Sequence, residues 1–214
     1  MSGDTDSFAP PRTNRGIELL EALQGLGCDV LFTTRAALDD AHVERLRQLN
    51  HTFVRSQRLL IACVSISRLR SEPHLEPKPI PTPQERIDLL RRLKKAEMVT
   101  VLAMRPFLPV IPPDEYVEIA SICRPYVDVA LGEVWYVDKT GILELKVFRG
   151  PVPSNVRYEE HEMDFDSNGK TWKVWDGAAP ERRVADYCAS VNLPFFMRSR
   201  PAVLYLRNLL LSRA

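Results

Sequence analysis

Leu59-Leu60-Ile61-Ala62-Cys63-Val64-Ser65-Ile66 is apolar almost from end to end and rich in branched residues. A half-buried strand would alternate apolar with polar side chains. A run without alternation reads instead as a strand covered on both faces, the habit of parallel strands between other layers. Similar runs lie on either side of it: Val30-Leu31-Phe32-Thr33, Val99 to Met104, and Tyr126 to Leu131. They recur roughly every 30 to 40 residues, a spacing that suits β-α units.

The segments between these runs carry a helical period. Ile17, Leu20, Leu23 and Leu26 share one face, and Gly27 offers a stop. Val43, Leu46 and Leu49 follow Asp39 and Asp40, either of which can open a helix. Ile87, Leu90 and Leu93 follow Pro83, with Arg and Lys late in the segment, where they suit the helix dipole. Pro113-Asp114-Glu115 opens a helix containing Val117, Ala120 and Ser121. Repeated β-α units of this kind form a doubly wound sheet or a barrel. In either, ligands collect at the C-terminal ends of the strands.

After Gly132 the pattern changes. Val134 to Val137 and Leu143 to Val147 flank Asp138-Lys139-Thr140-Gly141, which predicts a β-hairpin. Residues 150–169 are polar and read as loop. Pro180 to Ser190 and Ala202 to Ser212 read as helices, and Leu193 to Met197 as a strand. The expected organisation is a barrel-like part over residues 1–149 and a C-terminal extension over 150–214.

Composition excludes little but orders the alternatives. The 214 residues are 45% apolar and carry a formal net charge of +1, so charge gives no reason to expect nucleic acid or an acidic membrane as partner. No run approaches the roughly 20 apolar residues of a membrane span. The polar, proline-containing start from Met1 to Arg12 has no apolar signal core, so a cytoplasmic location is expected.

Cys28, Cys63, Cys123 and Cys188 are scattered, with no CxxC or CxxxCxxC spacing, and read as reduced thiols in or near the core. His42, His51, His74 and His161 have no ligand spacing, so no metal site is expected. Trp135, Tyr136, Trp172 and Trp175 read as packing residues. No GxGxxG, P-loop or GxSxG motif is present, which argues against dinucleotide enzymes, NTPases and serine hydrolases.

Short motifs at the expected strand ends point further. Gly3-Asp4-Thr5-Asp6-Ser7-Phe8 is followed by Pro10 and a Leu-rich helix. Thr33-Thr34-Arg35 precedes Asp39-Asp40, and Val64-Ser65-Ile66-Ser67 ends the central strand. Leu75-Glu76-Pro77 leads through Pro81 and Pro83 to Arg86. Arg105-Pro106-Phe107-Leu108-Pro109 follows the next strand. In this order and at this spacing they resemble the second to fifth strand ends of the radical SAM superfamily, specifically the spore photoproduct lyase-like group. The resemblance runs from about Gly3 to Asp138.

The resemblance implies a partial (β/α) barrel of the radical SAM type, with a small C-terminal α+β extension. It implies S-adenosylmethionine as cofactor, with Asp4, Thr5, Asp6, Arg35 and Ser65 as cofactor-binding residues. Asp4, Thr5 and Asp6 would face its ammonium group, and Arg35 would clamp its carboxylate. Glu76 would meet substrate or cap the next turn, Arg86 would pair with that glutamate or a helix end, and Arg105 would meet a substrate anion. The superfamily also holds a [4Fe–4S] cluster on a CxxxCxxC loop after its first strand, and this sequence has no ligands for one. The expectation is a fragment or truncated form of an enzyme that cleaves S-adenosylmethionine reductively, inactive alone. The alternative is a non-catalytic interaction protein on a degenerate half barrel. In either case an open sheet edge would call for a partner chain or self-association.

Overall fold

In the computed structural model, which describes residues 6–163 and 170–212, the apolar runs become strands β1 (Val30–Thr34), β2 (Leu60–Ser65), β3 (Val99–Phe107) and β4 (Val129–Val134). Helix α1 (Thr13–Gln24) precedes β1, and α2 (Asp40–Arg55), α3 (Pro83–Lys95) and α4 (Pro113–Cys123) make the crossovers. Tyr126, expected in the fourth strand, belongs instead to a single 3-10 turn, Arg124–Tyr126. The strands run parallel in the order β1-β2-β3-β4, and all six residues of β2 are buried. That double burial is what the unbroken run in β2 requires.

Helix starts follow local chemistry. Asp39 accepts a hydrogen bond from the His42 N–H at 2.8 Å and caps α2. Thr82 and Glu85 form a reciprocal capping box on α3, with Pro83 in its first turn. Gly27, in the left-handed region at φ 64°, follows the end of α1.

The region after β4 departs from expectation. β5 (Tyr136–Val137) does not pair with residues 143–147; these lie in a helix, α5 (Ile142–Phe148). The sequence Leu143-Glu144-Leu145-Lys146-Val147 alternates like a strand. The helix instead turns Glu144 and Val147, three apart, inward and leaves Leu143 and Leu145 exposed. The expected hairpin is therefore replaced by a longer-range pairing. β5 is antiparallel to β7 (Thr171–Trp175), which in turn pairs with β6 (Tyr158–Glu162). β6 lies within the stretch read as loop, because its polar, exposed edge carries no apolar signal.

The C-terminal extension is divided between two sheets. β6 and β7 build the small antiparallel sheet with β5. Helix α6 (Ala178–Ser190) then packs beside α4, and β8 (Phe195–Phe196) joins the main sheet parallel to β4. Helix α7 (Ser199–Leu211) follows. One face of the sheet, with Phe32, Leu60, Val64 and Met104, packs on Ile17, Leu46, Leu90 and Ile119 of the first four helices. On the other face Ile61, Cys63, Val101 and Leu131 pack on Ala202 and Leu206 of α7.

Helix α7 is pinned at both ends. Ser199 Oγ accepts from Arg105 Nη1 at 2.9 Å near the C-terminal strand ends. Arg207 Nη1 donates to Asp29 Oδ1 at 2.8 Å, just before β1. The helix thus runs across the sheet face that the helices of the crossovers leave open. No helix among the described residues is long and apolar enough to cross a membrane.

Candidate site at the strand ends

A cavity of about 370 Å³ opens at the C-terminal ends of the parallel strands. Its wall includes Arg35 after β1, Arg68 after β2, Glu133 in β4, and Lys146 on α5. This is the location the parallel topology favours, because each strand there hands the chain to a loop that can carry chemistry.

Asp6 shapes the rim beside β1. Its Oδ2 accepts from the Arg35 backbone N–H at 2.6 Å and from Thr34 Oγ1 at 2.9 Å, and its Oδ1 accepts from the Phe8 N–H at 2.9 Å. The carboxylate expected to face an ammonium group is thus engaged in tying the N-terminal segment to the end of β1. Asp4 and Thr5 lie outside the described residues. The Arg35 side chain lines the cavity and makes no hydrogen bond or ion pair with another described residue.

Glu76 also reaches the cavity, but its carboxylate is committed. Arg86, fully buried, donates from Nη1 to Glu76 Oε1 at 2.9 Å and from Nη2 to Glu76 Oε2. The same Nη1 donates to the Ser65 carbonyl at 2.9 Å. One guanidinium therefore joins α3, the Leu75-Glu76-Pro77 loop and the end of β2. Ser65 is itself 4% exposed and stands behind the cavity, whose wall takes Ser67 instead.

Arg105 likewise lies behind the wall. Its Nε donates to the Gly132 carbonyl at 3.3 Å and its Nη1 to Ser199, while its Nη2 is buried without a partner. Gly132 permits this close layer: a Cβ there would stand 2.6 Å from the Phe107 ring and 2.8 Å from that of Phe195. Of the expected residues, then, Arg35 and Glu76 meet in the cavity, Ser65 and Arg105 back it, and Asp6 holds its rim.

Three further charged residues stand in the wall. Glu133 is half-buried, and burial raises its carboxyl above the usual range, partly offset by the positive charge of Arg105. Arg68 is 5% exposed, and Lys146 projects from α5. Glu133 sits at a strand end, so its position was readable by the strand-end rule. Arg68 follows a strand-end serine but reads in sequence like any surface cation. Lys146 depends on α5 being helical.

The thiols do not fit an iron–sulfur cluster. Cys63, Cys123 and Cys188 are buried in separate elements, β2, α4 and α6, and Cys28 is exposed. Burial pushes the three buried thiols up, to about 11 for Cys63, 12 for Cys123 and 11 for Cys188, which disfavours the thiolate a cluster needs. Among the described residues no group of three His, Cys, Asp or Glu side chains is placed to hold a metal. S-adenosylmethionine fits better: an arginine unpaired among the described residues stands in the wall of a cavity in the size range of small-molecule sites, about 300–1,000 Å³.

No protein-family model and no curated protein matches the chain. Solved structures do. A cysteine-to-serine variant of spore photoproduct lyase superposes with a TM-score of 0.66 at 13% identity, over 92% of this chain and 58% of that one. Spore photoproduct lyase complexed with dinucleoside spore photoproduct gives 0.63 at 14% identity, over 92% and 59%. The radical S-adenosylmethionine methyltransferase TsrM from Kitasatospora setae, with tryptophan substrate and a cofactor analogue bound, gives 0.50 at 14% identity, over 87% and 42%. The chain spans less than two thirds of the length of each. At this identity the likeness is one of fold: the chain is folded like a section of the (β/α) barrel of those proteins.

Proposed function

We propose that this chain forms the S-adenosylmethionine-binding, substrate-facing part of a radical SAM barrel and cannot start radical chemistry alone. The observation that carries the reading is Arg35. Its backbone is locked to Asp6 at 2.6 Å, and its guanidinium, unpaired among the described residues, lies in the wall of the strand-end cavity. A planar cation held this way suits the cofactor's carboxylate. Bound there, S-adenosylmethionine supplies radical chemistry only when an electron reaches it, and the thiols of this chain do not fit the cluster that would deliver one.

Among the described residues β1 ends the main sheet and pairs only with β2. Its free edge suits further strands, from another part of the polypeptide or from a second chain. A chain that must acquire these strands needs a partner or associates with itself. The reading as a purely non-catalytic interaction protein has no separate observation in its favour.

Calorimetric titration with S-adenosylmethionine tests the cofactor site. Saturable binding that is weakened about tenfold or more by Arg35→Ala supports it. Equal binding by the variant removes the clamp from the proposal. Anaerobic incubation with iron and sulfide, followed by desalting, tests the rest. A charge-transfer absorbance retained by the chain alone would contradict the claim that the cluster comes from elsewhere.

A further inference from the structure

We propose that the strand-end cavity binds a small amphipathic oxyanion, a carboxylate or phosphate on an apolar body, anchored by Arg68 with Lys146 at the rim. It shares the cavity of the cofactor reading but is anchored by a different residue, Arg68 rather than Arg35.

Arg68 is a buried cation with too few partners. Its Nη2 donates to Glu72 Oε1 at 2.6 Å, while its Nε and Nη1 are buried with no partner among the described residues. Glu72 is 42% exposed on its side chain, and its other oxygen lies 3.3 Å from His74 Nδ1 without hydrogen-bond geometry. A buried N–H left unmade costs about 1 to 3 kcal/mol, and more on a charged group. Native folds pair such donors, so an exception in a cavity wall points to an acceptor that arrives from outside.

The wall's charges choose the sign of that ligand. Arg35, Arg68 and Lys146 face it together with Glu76 and Glu133. Glu76 is neutralised by Arg86, with which it forms a buried two-pronged pair. Burial raises the Glu133 carboxyl above its usual range, and even when ionised it is one carboxylate facing three cations. Lys146 is exposed and has no ion-pair partner among the described residues. An excess of positive charge remains in the wall.

The rest of the wall sets the body of the ligand. Leu75, Leu108, Trp135 and Val147 line it, and Trp135 is only 4% exposed, held edge-on against Phe148 at 5.7 Å. A bare inorganic anion would leave this apolar side unused. A neutral apolar molecule would leave the Arg68 N–H groups unmade.

The full chain is titrated with benzoate and phenyl phosphate, and with benzyl alcohol as the neutral counterpart, by protein-observed NMR. Both anions are expected to bind saturably and shift the Trp135 indole signal, with the alcohol weaker by about tenfold or more. Arg68→Met should lower anion affinity about ten- to hundredfold while leaving the unliganded melting midpoint unchanged or higher. A lowered midpoint with unaltered anion binding would mean that Arg68 only holds Glu72, and would overturn the site. So would benzyl alcohol binding as well as benzoate. Arg68→Lys, which keeps the charge and the volume but loses the planar N–H groups, carries the test if Arg68→Met folds poorly: weakened anion binding supports the site, and unchanged binding rejects it. Arg35→Ala separates the two proposals, because it should weaken S-adenosylmethionine binding about tenfold or more and lower phenyl phosphate affinity far less than Arg68→Met does.

Discussion

Arg86 and Glu76 form a two-pronged ion pair in which the guanidinium is fully buried and the carboxylate side chain is 7% exposed. It ties α3 to the loop after β2 beneath the floor of the cavity. Removing one member of such a pair strands the other charge, at a cost of about 3 to 5 kcal/mol. Arg86→Met should therefore lower the urea midpoint severely. The double variant Arg86→Met/Glu76→Gln should recover a large part of the loss, because no uncompensated charge remains. A double variant as unstable as the single one would show that Arg86 acts through packing or through its bond to the Ser65 carbonyl.

Asp6 bonds Thr34, the Arg35 amide and the Phe8 amide from one carboxylate. Asp6→Ala should cost about 2 kcal/mol, the scale of hydrogen bonds to a charged group. Its local signature is faster hydrogen exchange at the Arg35 and Phe8 amides, with the interior of α2 unaffected. Unchanged exchange at Arg35 would remove Asp6 from its role at the rim.

Glu133 yields a pH-dependent expectation. Burial raises its folded-state pKa, so the folded protein holds this proton more tightly than the unfolded chain. Below the ordinary glutamate value, about 4.3, both states are protonated and no penalty arises. As pH rises through the window up to the raised folded value, the unfolded chain releases its proton first and stability falls. Glu133→Gln should therefore raise the melting midpoint at neutral pH and have little effect near the bottom of the window. A gain that is the same at both pH values would argue against a protonation effect.

The cysteines divide by exposure. Burial raises Cys63, Cys123 and Cys188 far above neutrality, while Cys28 is at the surface. A disulfide reagent should modify one thiol rapidly in the native protein and all four after unfolding. Cys28→Ser should abolish the rapid phase. Rapid reaction of a second thiol would show that one of the buried elements opens readily.

How far the sequence could be read depended on how local each signal was. β2 was legible because strands covered on both faces must be apolar at every position. The α3 start was legible from Pro83, and the capping box of Thr82 and Glu85 lies within the same turn. Arg86 and Glu76 could be paired because both fall within one motif. α5 was misread because five alternating residues fit a strand or a short helix equally. Which one forms was decided by β7, whose pairing with β5 crosses more than thirty residues.

The residues that give the cavity its character escaped for the same reason. Arg68 in sequence is one arginine among many; burial with two N–H groups unpartnered arises only when β2, the loop after it and α4 close around it. The sequence by itself determined the order of strands and helices as far as β4, their parallel sense and the end of the sheet where the cavity opens, since each follows from periodicity and caps within a few turns of chain. The tertiary structure alone decided that Asp6 and Glu76 are bound by the protein's own groups while Arg35 and Arg68 remain available, because whether a charge is satisfied depends on which distant side chains surround it.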